Sequence, residues 1–137
     1  MCLGQEGRMS IGGRAVIAVV DDQASVRTGL ARLLRSAGYE ASQYPSGEDF
    51  VRSLATVLPD CLILDLRMPG LDGFGVLAAV RREARSIPVI ILTSFPSPEV
   101  RERALREGAS MFLEKPAART ELLRAIDHAL GTPGCGA

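Results

Sequence analysis

The chain has no tryptophan, and aromatic residues make up only 4% of its 137 positions. Surfaces for single-stranded nucleic acid stack bases on aromatic rings, and this composition offers too few. An excess of either charge is also missing, since 16 Lys+Arg stand against 16 Asp+Glu and the formal net charge is zero. Duplex binding needs a basic stripe that neutralises phosphates, so no direct contact with nucleic acid is expected of this segment. The three cysteines, Cys2, Cys61 and Cys135, form no C-x-x-C pair. Neither a disulfide framework nor a thiolate zinc site is signalled, and a reducing, cytoplasmic setting is expected. No apolar run approaches the roughly 20 residues of a membrane span, and the first 14 residues hold no signal-like apolar block. No membrane association is expected.

Hydrophobic residues, by contrast, make up 47% of the chain, enough for one ordinary core in one domain. They fall into two patterns. Continuous apolar runs at 15–20, 61–66, 88–93 and 111–113, with an alternating stretch at 39–44, predict five strands, the last of these half-exposed at an edge. Between them the spacing becomes helical, as in Val26, Leu30, Leu33 and Leu34, or Leu122, Leu123, Ile126 and Leu130. Ser46 and Ser97 stand where helix caps belong, the latter followed by Pro98 at the first helical position. Strand and helix alternating five times predict an α/β, doubly wound (βα)5 flavodoxin-like fold, whose five-stranded parallel sheet would have the order 2-1-3-4-5. The expected folded domain runs from 15 to 130. Residues 1–14 read as a flexible N-terminal tail, and 131–137 as a flexible C-terminal tail or the start of a linker.

In a parallel sheet the C-terminal ends of all strands share one edge, so residues that follow the apolar runs can meet. Asp21 and Asp22 follow the first run, Asp65 comes late in the third, Thr93 and Ser94 follow the fourth, and Glu114, Lys115 and Pro116 follow the fifth. Three carboxylates in one crevice repel by about 4 kcal/mol per close pair at an effective dielectric near 20. A hard divalent cation held by oxygens alone, Mg²⁺ or Mn²⁺, would relieve this. Lys115, the only lysine in a chain whose other basic residues are all arginine, brings a second positive charge. Taken singly, Asp21-Asp22 also reads as a turn and helix cap, Asp65 as a strand-end turn acid, Thr93 as a β-former at a strand end, and Phe112 as a core residue.

Together, "VVDD" (19–22), "DLRMPGLDG" (65–73), "ILTS" (91–94) and "FLEKP" (112–116) resemble the receiver domains of two-component response regulators, the CheY-like superfamily. The motifs are closest to receivers of the FixJ/NarL type, which in full-length relatives precede a helix-turn-helix DNA-binding domain. The likeness covers about residues 15–130. It implies that Asp65 is the phosphoacceptor for a phosphoryl group from a sensor histidine kinase or phosphotransfer protein. It further implies that Asp22, Asp65 and the backbone carbonyl of Arg67 bind Mg²⁺ (or Mn²⁺) directly, with Asp21 acting through water. Thr93 and Lys115 would contact the phosphoryl oxygens, and Phe112 would be the switch aromatic. The expected partners are that kinase and a downstream effector or missing output domain, with a phosphorylation-dependent homodimer as a further expectation.

Two positions depart from the family pattern. Ala117 stands where many relatives carry an aromatic residue, and Phe95 is bulky beside the site, where it could shield an acyl phosphate from water or restrict entry of a phosphodonor. The rival reading is an aspartyl-phosphate-forming phosphatase of the haloacid dehalogenase type. That enzyme requires a second acid two residues after the nucleophile, and here that residue is Arg67. A dinucleotide-binding enzyme is disfavoured further, because the early glycine pair, Gly12-Gly13, precedes the first strand instead of opening a helix after it. With "GTPGCGA" at the end, the chain reads either as a stand-alone receiver or as the first piece of a transcription regulator cut at its linker.

Overall fold

A computed structural model describes residues 10–11 and 13–131. The strands are β1 (Ser10–Ile11), β2 (Arg14–Val20), β3 (Glu40–Tyr44), β4 (Cys61–Leu64), β5 (Val89–Thr93) and β6 (Met111–Glu114). The helices are α1 (Ala24–Ser36), α2 (Gly47–Ser53), α3 (Gly73–Glu83), α4 (Pro98–Arg106) and α5 (Arg119–Leu130). Strands β2 to β6 form one parallel sheet in the order β3-β2-β4-β5-β6. Counted among the parallel strands alone, this is the expected 2-1-3-4-5.

Alternation along the strands divides the core in two, because successive side chains point to opposite faces. Ala18, Val20, Leu62, Leu64, Val89 and Ile91 face α2, α3 and α4, meeting Phe50, Val76, Leu77, Val80 and Ala104. Ile17, Val19, Cys61, Ile63, Ile90 and Leu92 face α1 and α5, meeting Leu34, Leu122, Ala125 and Ile126. Strands covered on both faces need apolar residues at every position, which is why the runs read as continuous. Cys61 is one of these core positions. Burial pushes its thiol pKa up to about 12, so it stays protonated and unreactive at neutral pH.

Three strands start one residue away from the sequence-based boundaries, at Arg14, Glu40 and Val89, and other differences go further. The tail expected over 1–14 contains β1, which pairs antiparallel with the start of β2 through Ser10 opposite Ala15 and Ile11 opposite Arg14. Gly13, at φ +79, supplies the left-handed residue that this reversal needs. A two-residue strand is too short to leave a periodic signal. The third apolar run stops being a strand at Leu64, so Asp65 and Leu66 lie just past its end, and β6 extends one residue further, to Glu114. Residues 1–9, 12 and 132–137, with Cys2, Gly12 and Cys135, lie outside the described residues.

Helix starts follow their caps. Ser46, Asp72 and Ser97 each accept a hydrogen bond from the backbone N–H three residues on, at 3.1, 3.0 and 3.1 Å. The beginning of α3 presses directly on the chain after β4. A Cβ at Gly73 would lie 2.6 Å from both the carbonyl oxygen of Asp65 and the Cα of Leu66. This close approach holds the Asp65 backbone between β4 and α3.

Candidate functional site

At the C-terminal edge of the sheet, main-chain bonds continue past the strand ends. Asp65 N–H donates to the Val20 carbonyl at 3.0 Å, Asp21 N–H to Tyr44 at 3.3 Å, and Lys115 N–H to Thr93 at 2.8 Å. Backbone pairing therefore brings Asp21, Asp65, Thr93 and Lys115 to one rim although they are far apart in the chain. Asp21, Asp65 and Thr93 are buried, and Asp22 is exposed.

Asp21, Asp22 and Asp65 each turn a carboxylate oxygen inward, and these oxygens lie within 4.8 Å of one another. Lys115 answers them with its Nζ 2.6 Å from Asp21 Oδ2 and 3.8 Å from Asp65 Oδ2. Both Asp21 oxygens are engaged, because Oδ1 accepts the Gln23 N–H at 2.9 Å. The Arg27 guanidinium adds a bond to the Asp21 carbonyl at 2.7 Å. Burial raises the Asp65 pKa; Lys115 counters this, Asp21 raises it further, the Arg67 backbone N–H lowers it, and Asp22 adds a last upward push.

An all-oxygen cluster with one carboxylate exposed, one buried and destabilised in its charged form, and no imidazole or thiolate suits a hard divalent cation that keeps part of its water shell. Asp21 is held closely by Lys115 and the Gln23 N–H, whereas Lys115 stands 3.8 Å from Asp65. The Arg67 backbone N–H faces the Asp65 carboxylate closely enough to lower its pKa.

Thr93 Oγ1 accepts the Phe95 N–H at 3.2 Å. Phe112 on β6 is half-buried, packs against the α2–α3–α4 side of the core, and borders a groove of about 830 Å³ shared with Pro98, Arg101 and Leu105 of α4. Asp21, Asp22, Asp65, Thr93 and Lys115 thus all reach the sheet edge, and Phe112 lies on β6 three residues before Lys115.

Sequence reading missed three contacts. Arg67 lies over the Phe95 ring, 4.2 Å from its centroid, and Arg103 lies over Phe74 at 3.8 Å. Glu48 accepts the Leu71 N–H at 3.0 Å, tying α2 to the loop after Asp65. Phe95, read from the sequence as a bulky residue that could shield the site or restrict entry to it, was the available signal for the first of these.

Comparison with known proteins agrees with this geometry. The family model described as "response regulator receiver domain" matches residues 17–127. The chain is 34% identical over 117 residues to the DNA-binding transcriptional regulator NtrC of Klebsiella pneumoniae, covering 85% of this chain and 25% of that protein. It is 35% identical over 123 residues to nodulation protein W of Bradyrhizobium diazoefficiens, covering 90% of this chain and 54% of the relative. The chain therefore spans between a quarter and about half the length of these curated relatives. Among solved structures, a response regulator receiver protein from Burkholderia phymatum superposes with a TM-score of 0.77 at 40% identity, covering 86% of this chain and 96% of that one.

Proposed function

Because the chain belongs to the response regulator receiver family of two-component signalling, we propose that Asp65 is its phosphoacceptor and that the Asp21, Asp22, Asp65 and Lys115 cluster is the machinery that phosphorylates it. The observation that carries this is the meeting of three carboxylate oxygens within 4.8 Å with a single ammonium bonded to one of them. The phosphatase alternative has no support, since the position two residues after Asp65 holds Arg67, whose side chain packs on Phe95.

In the proposed transfer, an Asp65 carboxylate oxygen attacks the phosphorus of a phosphohistidine on a sensor kinase or phosphotransfer protein. A P–O bond forms, the P–N bond breaks, and the electron pair leaves on the imidazole nitrogen. Such chemistry depends on positioning and charge neutralisation more than on covalent assistance. Asp22, Asp65 and the Arg67 carbonyl would hold Mg²⁺ or Mn²⁺, which would neutralise the developing charge on the phosphoryl oxygens. Lys115, 3.8 Å from Asp65, needs only a small swing to pair with one of those oxygens. The Thr93 hydroxyl would donate to another. Phe112 would then turn into the space that Thr93 vacates, carrying the signal toward α4 and β6.

The test is incubation with acetyl phosphate, with and without Mg²⁺, followed by intact mass and peptide mapping. One phosphoryl group on Asp65, formed only with the cation and lost in Asp65→Asn, is expected. A phosphoryl group mapped elsewhere refutes the assignment.

Signalling would pass to an output domain or effector, in keeping with the similarity to NtrC, a DNA-binding transcriptional regulator. A phosphorylation-dependent homodimer would use the face of α4, β6 and α5, where Phe112 borders the groove with Arg101 and Leu105. Sedimentation should show self-association that rises on phosphorylation and falls with Arg101→Glu. Self-association insensitive to that change would place the interface elsewhere.

A further inference from the structure

The turn after β2 carries two of the three carboxylates that meet at the sheet edge, and the two are held very differently. Asp21 is buried and engaged at every polar group. Its N–H donates to the Tyr44 carbonyl at 3.3 Å, its Oδ1 accepts the Gln23 N–H at 2.9 Å, its Oδ2 meets Lys115 Nζ at 2.6 Å, and its carbonyl oxygen accepts a bond from Arg27 Nη1 at 2.7 Å. Asp22 is exposed, so the direction of its carboxylate depends on the backbone from which it projects. That backbone begins at the Asp21 carbonyl. A peptide unit is planar, and the bond from Arg27 therefore fixes the plane that ends at the Asp22 Cα.

The helix itself gives no reason for an arginine here. The Arg27 N–H donates to the Gln23 carbonyl at 3.0 Å and closes the first turn of α1, where the helix dipole disfavours a cation. Gln23, the cap residue, makes no side-chain cap bond, and no acid stands in that first turn to compensate. Arg27 is half-buried, and its guanidinium reaches back over the turn to a main-chain oxygen instead of a carboxylate. The acids of the cluster keep their oxygens for other partners.

We propose that Arg27 is a positioning residue for the cation site: by holding the Asp21 carbonyl it directs Asp22 toward Asp65 and so raises the affinity of the cluster for Mg²⁺. The inference rests on the reading that Asp21, Asp22 and Asp65 bind a divalent cation. Arg27 acts through Asp22 and touches neither the cation nor the phosphoryl group. The sign of its effect separates this role from that of a bystander charge. A nearby guanidinium repels a cation, so deleting a bystander would tighten binding. Deleting a positioning residue weakens it, because the Asp22 carboxylate must then be ordered at the moment of binding.

The experiment titrates the full chain with Mn²⁺, following the free ion by electron paramagnetic resonance, and then displaces it with Mg²⁺. Arg27→Met, which keeps most of the side chain's volume, should weaken binding of both ions about tenfold, the lower end of the range for losing a group that holds a metal ligand in place. Arg27→Lys, which keeps a charged donor on a shorter arm, should weaken it less. In an Asp22→Asn background, Arg27→Met should cost almost nothing further, because the residue it positions is no longer a charged ligand. Phosphorylation of Arg27→Met by acetyl phosphate should be slow at limiting Mg²⁺ and recover at saturating Mg²⁺. One readout needs no metal: the Asp22 amide nitrogen, which shares its peptide with the Asp21 carbonyl, should change its NMR shift in Arg27→Met. Unchanged or tighter ion binding in Arg27→Met, or an equal loss in the Asp22→Asn background, would overturn the positioning role. A wild type that binds neither ion refutes the cation site itself, whereas wild type and Arg27→Met that bind equally well refute the role of Arg27 alone.

Discussion

Replacing Lys115 by Met removes the ammonium that bonds Asp21 and faces Asp65 while keeping most of the side chain's volume. The Lys115 and Asp21 side chains are 13% and 3% exposed and meet at 2.6 Å, so this is a nearly buried pair. Removing one partner of such a pair costs about 3–5 kcal/mol, because the remaining charge is stranded in a poorly solvated site. Water can reach the cluster through exposed Asp22, which places the expected loss near the lower limit, about 3 kcal/mol. For a domain of this size that lowers the melting temperature by roughly 10 °C. Two further results follow from the same electrostatics. Mg²⁺ should raise the melting temperature more in Lys115→Met than in wild type, since the cation enters a cluster one charge more negative and binds it more tightly. Asp21→Asn should rescue part of the loss in the double variant, because the stranded charge is then gone. Scanning calorimetry with and without Mg²⁺ measures all three. A melting temperature within about 2 °C of wild type, or additive effects of the two substitutions, would refute the claim that Lys115 offsets the carboxylate cluster.

Asp65→Asn tests the same cluster through pH. The folded-state pKa of Asp65 is raised above its ordinary 3.8, first by burial, so the folded state keeps this proton to higher pH than the unfolded chain does. Its contribution to stability is full below 3.8 and is lost as pH rises through the raised value. Metal-free Asp65→Asn should therefore be more stable than wild type at pH 7 and lack this loss on going from pH 3.5 to 7 in urea titrations; equal pH slopes would count against the buried, repelled carboxylate. Thr93→Ala should still take a phosphoryl group, at a cost of about one charge-assisted hydrogen bond, 1.5–3 kcal/mol. Its beryllofluoride-induced NMR shifts at Phe112 and α4 should be much smaller than those of wild type. Equal shifts would mean that the signal leaves by another route.

Much of this protein was legible from local rules. Four continuous apolar runs and one alternating stretch, separated by amphipathic spacing with caps at Ser46 and Ser97, identify a parallel sheet because each element's pattern is set within a dozen residues. The strand-end acids follow from the same logic, since a carboxylate closing an apolar run has nowhere to go except the rim. Tertiary structure alone decided how the charges share that rim. Lys115 lies 94 residues from Asp21, and only pairing of β2 with β4, β4 with β5 and β5 with β6 makes them partners. Packing of α3 and α4 on one side likewise set Arg67 on Phe95 and Arg103 on Phe74. No periodicity encodes a contact between two loops, because it depends on where the sheet delivers each strand end. For the same reason β1, two residues joined to β2 by a left-handed glycine, became visible only once its partner strand was in place.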